Sequence, residues 1–418
     1  MEDNILKKAI LVAVAKSTSE LEECEKSLDE LERLLDTAGG ESYARVIQVK
    51  PTFDPRTVIG SGKVLEIKEL CEANDIELVV FDFELSPMQI RNLEEDIGNV
   101  DVIDRNMLIL DIFALHASTG EGKLQVELAQ LKYTAPRLVG KGAALSRQGG
   151  GIGTRGPGET QLESDRRHLH SKIAALEAKL RQLEHNRGIM RAQRDRSGLF
   201  KIAVVGYTNA GKSTLLNRLT GADVLAEDKL FATLDPTTRK LELPCGETVL
   251  LTDTVGFIRK LPHHLIDAFR STLEEAKYAD MILHVVDASN PDADGQMHIV
   301  YETLRNLGVK DKPVITAFNK QDMVSVGESI KDLKADRVVR ISAKHGQGLP
   351  ELLEVITELL RESKVYVECV ISYAEGNKVA LIRKYGELLS EEYVAEGTAV
   401  KAYVPKDLYG QLFGTSKE

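Results

Sequence analysis

The feature that most constrains how this 418-residue chain can fold is a glycine-rich segment between an apolar run and a helix-forming run. The apolar run is Ile202–Val205, and the segment after it, Gly206–Ser213, has the pattern G-x-x-x-x-G-K-S. Backbone N–H groups of such a loop, together with the helix N-terminus, surround phosphate oxygens. We therefore predict an α/β domain in which Lys212 reaches the β- and γ-phosphates and Ser213 binds Mg²⁺. The candidate nucleotide-binding residues here are Gly206, Tyr207, Thr208, Asn209, Ala210, Gly211, Lys212, Ser213 and Thr214.

The identity of the base is indicated by Asn319-Lys320-Gln321-Asp322, which follows a predicted strand, Val314–Phe318. This N-K-x-D sequence resembles the guanine-specificity motif of GTPases. The Asp322 carboxylate can accept hydrogen bonds from N1–H and the exocyclic amine of guanine, and adenine offers neither donor there. We expect Asn319 to brace the loop and the Lys320 stem to cover the base. After a predicted strand at Val338–Ile341, the sequence Ser342-Ala343-Lys344 resembles the loop that closes over the base.

The elements that would respond to the γ-phosphate lie between these motifs. Leu250–Gly256 is typical of a strand followed by D-x-x-G, so Asp253 would hold Mg²⁺ through water and the Gly256 amide would contact the γ-phosphate. Upstream, Thr233 is the expected second hydroxyl ligand of Mg²⁺, with Thr237 and Thr238 as alternatives. The candidate residues of these two segments are Phe231, Ala232, Thr233, Leu234, Asp235, Asp253, Thr254, Val255 and Gly256.

The residue after Gly256 bears on the hydrolytic mechanism. Ras-type enzymes have a glutamine there, which orients the attacking water, but this chain has Phe257. An apolar ring cannot orient water by hydrogen bonding. Phe257 could instead serve only to pack against the core, but the glutamine amide would still be missing. Hydrolysis must then use another group or a partner, and we assign no catalytic residue from the sequence.

The order of apolar and polar runs predicts four domains. These are a small parallel α/β domain at 1–115, an antiparallel helical hairpin at 116–198, the GTPase domain at 199–363 and a small α+β domain at 364–418. In the last domain we predict strands at Val365–Ile371, Val379–Ile382 and Ala399–Val404. Gly60–Lys63 resembles a second phosphate loop, but Thr57 occupies the position of the first required glycine, which favours a turn before a helix.

The hairpin prediction rests on two leucine-rich seams separated by a basic, glycine-rich segment. Leucines at 124, 128, 131 and 138 share one helical face, and apolar residues at 169, 173, 176, 180 and 183 form an a/d repeat. Residues 132–158 hold five bases and no acid, although residues 1–100 alone have a net charge of −11. Such a segment is either a slack connector or a contact to a phosphate backbone. The candidate RNA-binding residues are Lys141, Arg147, Arg155, Arg166 and Arg167.

Taken together, these motifs resemble the HflX family in the Obg–HflX branch of translation-factor GTPases. The resemblance is carried by GGGIGTRGPGETQLE at 149–163, by Asp165-Arg166-Arg167, and by Asn209 and Phe257. It implies a cytoplasmic GTPase that binds the large ribosomal subunit and its RNA and splits stalled or idle ribosomes, notably under heat stress. ATP binding by the N-terminal region is also described for members. Asn209 matches an asparagine that helps to bind K⁺ in some related GTPases, although bracing the loop is an equal alternative.

Two other functions remain open at this point. A ribosome-assembly GTPase would need the same GTP and RNA contacts, whereas a stand-alone nucleotidase with ATPase activity is disfavoured by Asp322 and Phe257. No apolar run approaches the roughly 18 residues of a membrane span. The four cysteines lie far apart, without metal or redox spacing, which indicates free thiols in a reducing cytosol. We expect a cytoplasmic monomer that uses Mg²⁺.

Overall fold

The fold was analysed in a computed structural model of the chain. The residues it describes are 7–138, 157–195, 199–221, 230–231, 237–260, 275–324 and 330–414. The chain divides into two compact units. The first comprises Met1–Arg187, Glu227–Asp235 and Ile258–Leu273, and the second comprises Gly188–Ala226, Pro236–Phe257 and Glu274–Glu418. Two short stretches that are remote from the N-terminus in sequence therefore belong to the first unit.

The first unit is built on a parallel four-stranded sheet in the order β2-β1-β3-β4. Its central strand, β1, is apolar and almost completely buried, because helices cover the sheet. The predicted small parallel α/β fold is confirmed. The strands are β1 (Lys7–Ala15), β2 (Gly40–Val49), β3 (Leu78–Phe81) and β4 (Asp101–Asp104), and the helices are α1 (Leu21–Thr37), α2 (Ser61–Asn74), α3 (Pro87–Ile97) and α4 (Arg105–His116).

The glycine-rich sequence Gly60–Lys63 forms the start of helix α2. Gly60 is the residue before the helix, and its backbone N–H donates to Gln48 Oε1 at 2.8 Å. The Lys63 ammonium pairs with Glu66 on the same helix at 2.8 Å. Gly60–Lys63 therefore forms a turn that leads into a helix, as the sequence favoured, rather than a second phosphate loop.

Two long helices follow, α5 (Gly120–Leu138) and α6 (Pro157–Asp195). Ion pairs join them at Glu121–Arg187 (2.9 Å) and Lys132–Glu177 (2.7 Å), whose opposite order along the chain makes the helices antiparallel. In α6 the predicted seam is the least exposed face, and Leu176 is its most buried residue. The connection at 139–156 lies outside the described residues. Among the described helices, none is long and apolar enough to cross a membrane.

The second unit contains a six-stranded sheet in the order β10-β9-β8-β5-β7-β6. Only the edge strand β6 runs antiparallel to its neighbour, so five strands present their carboxyl ends at one edge. This is the predicted nucleotide-binding α/β domain. Its strands are β5 (Lys201–Gly206), β6 (Thr237–Glu242), β7 (Thr248–Asp253), β8 (Met281–Asp287), β9 (Val314–Asn319) and β10 (Arg337–Arg340), and its described helices are α7 (Lys212–Thr220), α8 (Ala293–Asn306) and α9 (Leu349–Glu362).

The C-terminal part is a small α+β structure, but one predicted strand is wrong. Val379–Ile382 lies in a helix, α10, because its buried residues are three positions apart, the period of a helix rather than of a strand. A run of four apolar residues does not distinguish the two by itself. The antiparallel sheet has the order β11-β13-β12. The elements are β11 (Lys364–Ile371), α10 (Gly376–Tyr385), β12 (Glu387–Val394), β13 (Gly397–Pro405) and α11 (Lys406–Phe413).

A pair of substitutions distinguishes the helix at α10 from the predicted strand. Ile382 is fully buried and Ala380 is exposed, whereas a strand would place both side chains on one face. Ile382→Ala should reduce the free energy of unfolding by about 2–5 kcal/mol. Ala380→Glu should change it by less than about 0.5 kcal/mol. Urea denaturation followed by circular dichroism measures both, and equal destabilisation would favour the strand.

Candidate nucleotide-binding site

The glycine-rich loop begins where the buried strand β5 ends and leads directly into α7. Its glycines are required by close neighbours. A Cβ atom on Gly206 would lie 2.2 Å from the Val285 carbonyl oxygen, and one on Gly211 would lie 2.3 Å from Asn319 Nδ2. Gly211 also has a φ of +94°, which side chains rarely tolerate. The loop is thus held closely against the carboxyl ends of the neighbouring strands.

Lys212 is buried at the start of α7 with its charge turned back into the loop. Its Nζ donates to the Tyr207 carbonyl oxygen at 2.8 Å, and the residue is 6% exposed. Burial lowers the pKa of Lys212 to about 8, and the nearby Asp253 carboxylate only partly opposes this shift. Phosphate groups of a nucleotide would stabilise the ammonium form and raise this pKa.

The two oxygen groups expected near Mg²⁺ lie side by side. The Ser213 hydroxyl donates to Asp253 Oδ2 at 2.7 Å, and Asp253 is fully buried at the end of β7. A hydroxyl and a carboxylate are the hard oxygen ligands that Mg²⁺ prefers. This donor set fits the ion.

The D-x-x-G segment is fastened to the loop by its backbone. The Thr208 N–H donates to the Phe257 carbonyl oxygen at 2.8 Å, and the Phe257 N–H donates to the Gly206 carbonyl oxygen at 3.1 Å. The Thr254 hydroxyl donates to the Val204 carbonyl oxygen, and Val255 is buried. A Cβ atom on Gly256 would lie 2.8 Å from Thr208 Cα. Gly256 therefore lies directly against the phosphate loop.

The Phe257 ring is 1% exposed, so it is part of the core. It has no group that could orient water, and its backbone hydrogen bonds keep it beside the loop. The described residues therefore contain no counterpart to the glutamine of Ras-type enzymes at this position.

The base-recognition motifs converge through Asn319, which is buried at the end of β9. Its Nδ2 donates to the Ala210 carbonyl oxygen and its Oδ1 accepts from the Ala343 N–H, both at 2.9 Å. One side chain therefore connects the phosphate loop to the Ser342–Lys344 loop. Lys320 has a φ of +61°, and its Nζ pairs with Asp287 Oδ2 at 2.7 Å.

Asp322 is held as an acceptor. The buried Ser342 hydroxyl donates to its Oδ1 at 2.6 Å, and this hydrogen bond lowers the pKa of Asp322 below its usual value. His345 Nε2 lies 3.5 Å from the other carboxylate oxygen, while Lys344 is exposed. Asp287 and His345, which contact Lys320 and Asp322, were not among the residues predicted from the sequence. The sequence features that could have indicated them are weak: Asp287 is the last residue of a buried strand, and His345 directly follows Ser-Ala-Lys.

The other predicted site residues have the following surroundings. Phe231 belongs to the first unit, where its ring packs edge to face on Phe113 with the centroids 4.6 Å apart. The Thr238 hydroxyl hydrogen bonds with that of Thr252 at 2.9 Å across strands β6 and β7. Arg166 and Arg167 are exposed on α6. The predicted residues Ala232, Thr233, Leu234 and Asp235, and also Lys141, Arg147 and Arg155, lie outside the described residues.

Family models match most of the chain in three consecutive segments. Residues 25–114 match "GTP-binding GTPase N-terminal", residues 116–194 match "GTP-binding GTPase Middle Region", and residues 201–320 match "50S ribosome-binding GTPase".

Curated relatives match almost the full length. The chain is 58% identical to a protein named GTPase HflX from Lacrimispora saccharolytica, over 98% of this chain and 96% of the relative. It is 49% identical to GTPase HflX from Caldanaerobacter subterraneus, over 97% and 92%. Among solved structures, a GTP-binding protein from Sulfolobus solfataricus in complex with GDP is 25% identical, with a TM-score of 0.45, over 85% of this chain and 99% of that one.

The lowered pKa of Lys212 predicts that nucleotide binding takes up protons. With its pKa lowered to about 8, part of the free protein has a neutral Lys212 at pH 8, and bound phosphates restore the ammonium, so GTP binding should take up a fraction of a proton. Near pH 6.5 the uptake by Lys212 should vanish, and affinity should fall as the pH rises through 8. Titration calorimetry in buffers of different ionisation enthalpy measures this uptake. Binding enthalpies at pH 8 that do not depend on the buffer would contradict it.

Proposed function

The chain belongs to the HflX family of GTPases, and from that premise we propose that it binds the large ribosomal subunit. It uses GTP to separate the subunits of stalled or idle ribosomes, notably under heat stress. The family model over residues 201–320, described as a ribosome-binding GTPase, supports the choice of partner. We propose that predicted domains 1–115 and 116–198 supply ribosome contacts and that 199–363 acts as the switch.

The observation that carries the proposal is the buried Phe257 beside the phosphate loop. The positions of Lys212 in the phosphate loop and of Asp322 beside Ser342 support a site that binds and selects GTP. The ring at 257 leaves the attacking water without an orienting side chain from that position. We propose that turnover is slow in the free protein and that the ribosome supplies or organises the missing group, which couples hydrolysis to binding of the partner.

We propose that Ser213 and Thr233 bind Mg²⁺ directly and that Asp253 holds it through water. The adjacent Ser213 and Asp253 oxygens support two of these assignments. When bound, the ion would offset negative charge on the phosphates. The buried Lys212 ammonium, hydrogen-bonded to the Tyr207 carbonyl oxygen, would add positive charge nearby.

The basic segment is the proposed contact to ribosomal RNA. Lys141, Arg147 and Arg155 lie in a stretch without acids, and Arg166 and Arg167 extend the charge onto the exposed surface of α6. Neutralising RNA phosphates releases counterions, so a net acidic protein can bind RNA through a locally basic segment. We propose that the protein acts as a cytoplasmic monomer, in keeping with its four free cysteines.

A base-specificity change tests the function directly. In Asp322→Asn, the amide N–H₂ would face guanine's own donors and weaken GTP binding by about 1–3 kcal/mol. The same amide can donate to the C2 carbonyl of xanthine, so the variant should bind xanthosine triphosphate instead. Sucrose-gradient sedimentation of intact ribosomes with a non-hydrolysable xanthosine triphosphate analogue should then show separated subunits with Asp322→Asn but not with the wild-type protein.

The wild-type protein with the corresponding GTP analogue is the matched control and should also separate the subunits. Intact ribosomes in every lane would contradict splitting. Binding only to immature large-subunit particles would favour the assembly function instead.

The proposed RNA contacts predict a change in salt dependence. Replacing Lys141, Arg147 and Arg155 with alanine should weaken binding to the large subunit and flatten the dependence of log K on log salt, because fewer counterions are released. GTP affinity should be unchanged, since these residues lie outside the nucleotide motifs. A salt titration of subunit binding is the measurement. A wild-type slope with full ribosome-stimulated hydrolysis would reduce the segment to a linker.

We also propose that a K⁺ ion can occupy a position beside Asn209. The residue is partly exposed in the phosphate loop, and its amide oxygen is a suitable ligand for this cation. A K⁺ there would add positive charge where charge develops during hydrolysis. The GTP hydrolysis rate should therefore be higher in K⁺ than in Na⁺ at equal ionic strength, and Asn209→Ala should abolish the difference. Equal rates for the wild-type protein in both buffers would exclude this ion.

A further inference from the structure

A buried carboxylate of the first unit holds a lysine from a distant part of the sequence. Asp82 follows strand β3 and is 2% exposed. It accepts hydrogen bonds from the Ser27 hydroxyl at 2.6 Å, from Arg105 Nη1 at 2.7 Å and from Lys260 Nζ at 2.6 Å. Lys260 Nζ also lies 3.0 Å from Ser27 Oγ and 3.3 Å from the Asp82 carbonyl oxygen. The Lys260 ammonium therefore lies within hydrogen-bond distance of three oxygens, two from Asp82 and one from Ser27 on α1.

Asp82 remains paired whether or not Lys260 is present. Arg105 is itself 1% exposed and also pairs with Glu30 on α1, so the Arg105–Asp82 pair is a fixed part of the core. Burial opposes ionisation of Asp82, but Arg105 and Lys260 outweigh it, and the pKa of Asp82 lies below its usual value. Removing Lys260 would not leave an uncompensated buried carboxylate.

Lys260 is the movable member of this cluster. Its side chain is half exposed, so the ammonium could return to water at small cost. It follows Gly256 by four positions, and Ile258 is where the chain enters the first unit. Lys260 has a φ of +52°, which is unfavourable for a residue other than glycine. Such a conformation persists only where surrounding contacts stabilise it.

The segment upstream of Thr233 is held by the same unit. The Leu230 N–H donates to Thr37 Oγ1 at 3.3 Å, and the buried Phe231 ring packs on Phe113. Phe231, like Lys260, has a positive φ, +57°. Contacts of the first unit therefore hold residues that flank both segments expected to respond to the γ-phosphate.

We propose that Lys260 is a positioning residue whose ion pair with Asp82 opposes GTP binding, because it holds the chain after Gly256 on the first unit. Engagement of Gly256 with the γ-phosphate draws this chain away and breaks the pair, whereas GDP leaves the pair intact. The pair is then a latch that sets the preference between GTP and GDP. A ligand shifts such an equilibrium only by its differential affinity for the two arrangements, and here the γ-phosphate provides the difference.

The test compares affinities for GDP and for a fluorescent non-hydrolysable GTP analogue. Lys260→Ala should bind the analogue about 3- to 10-fold more tightly, with GDP affinity unchanged. Lys260→Arg keeps the charge and should behave as the wild-type protein. Lys240→Ala, which removes an exposed lysine from β6, is the matched control and should have no effect. No ribosomes are used, so the result is independent of the proposed ribosome function.

A salt series separates the latch from a general structural effect. The wild-type preference for the analogue over GDP should rise with ionic strength, because screening weakens the half-exposed pair, and Lys260→Ala should lose this dependence. In an Asp82→Asn background, Lys260→Ala should have no further effect. Three results would overturn the proposal: wild-type preference in Lys260→Ala, an equal change for both nucleotides, or an unchanged salt dependence. If Asp82→Asn does not fold, the single-variant and salt comparisons decide the matter.

Discussion

The nucleotide site depends on the hydrogen bonds of one buried amide, that of Asn319. It donates to the Ala210 carbonyl oxygen and accepts from the Ala343 N–H, so a single side chain fixes the phosphate loop relative to the loop behind the base. The contact leaves no room for a Cβ atom at Gly211. The part of the site that Asn319 fixes in this way, at the ends of the strands, is preorganised for the nucleotide.

Binding and turnover are assigned to different parts of this arrangement. The Lys212 charge, the Ser213–Asp253 pair and the Asp322 acceptor are all in place. The position that would orient water is taken by a buried ring, Phe257, whose backbone is bonded to the phosphate loop. Among the described residues, position 257 supplies no group that orients water, which favours the proposed partner-dependent switch over a metabolic nucleotidase.

The sequence was informative wherever local pattern determines structure. The phosphate loop and the parallel sheets follow from short motifs and apolar runs, because strand burial and glycine geometry are local requirements. Val379–Ile382 was wrongly predicted as a strand because so short an apolar run fits the periodicity of a helix as well as that of a strand. Phe231 packs on Phe113, 118 positions earlier in the sequence, and Lys260 contacts Asp82 across 178 positions. Such long-range contacts have no local sequence signal. The roles of Thr233, Lys141, Arg147 and Arg155 remain predictions.

The central claim is that this GTPase requires the large ribosomal subunit to complete its catalytic site. The most direct measurement is the single-turnover rate of GTP hydrolysis with saturating, purified large subunits, compared with small subunits and with the protein alone. The account predicts acceleration on the order of tenfold or more by large subunits only, the size expected when a partner orients a water or stabilises charge. A rate in the free protein that equals the rate with large subunits would contradict it.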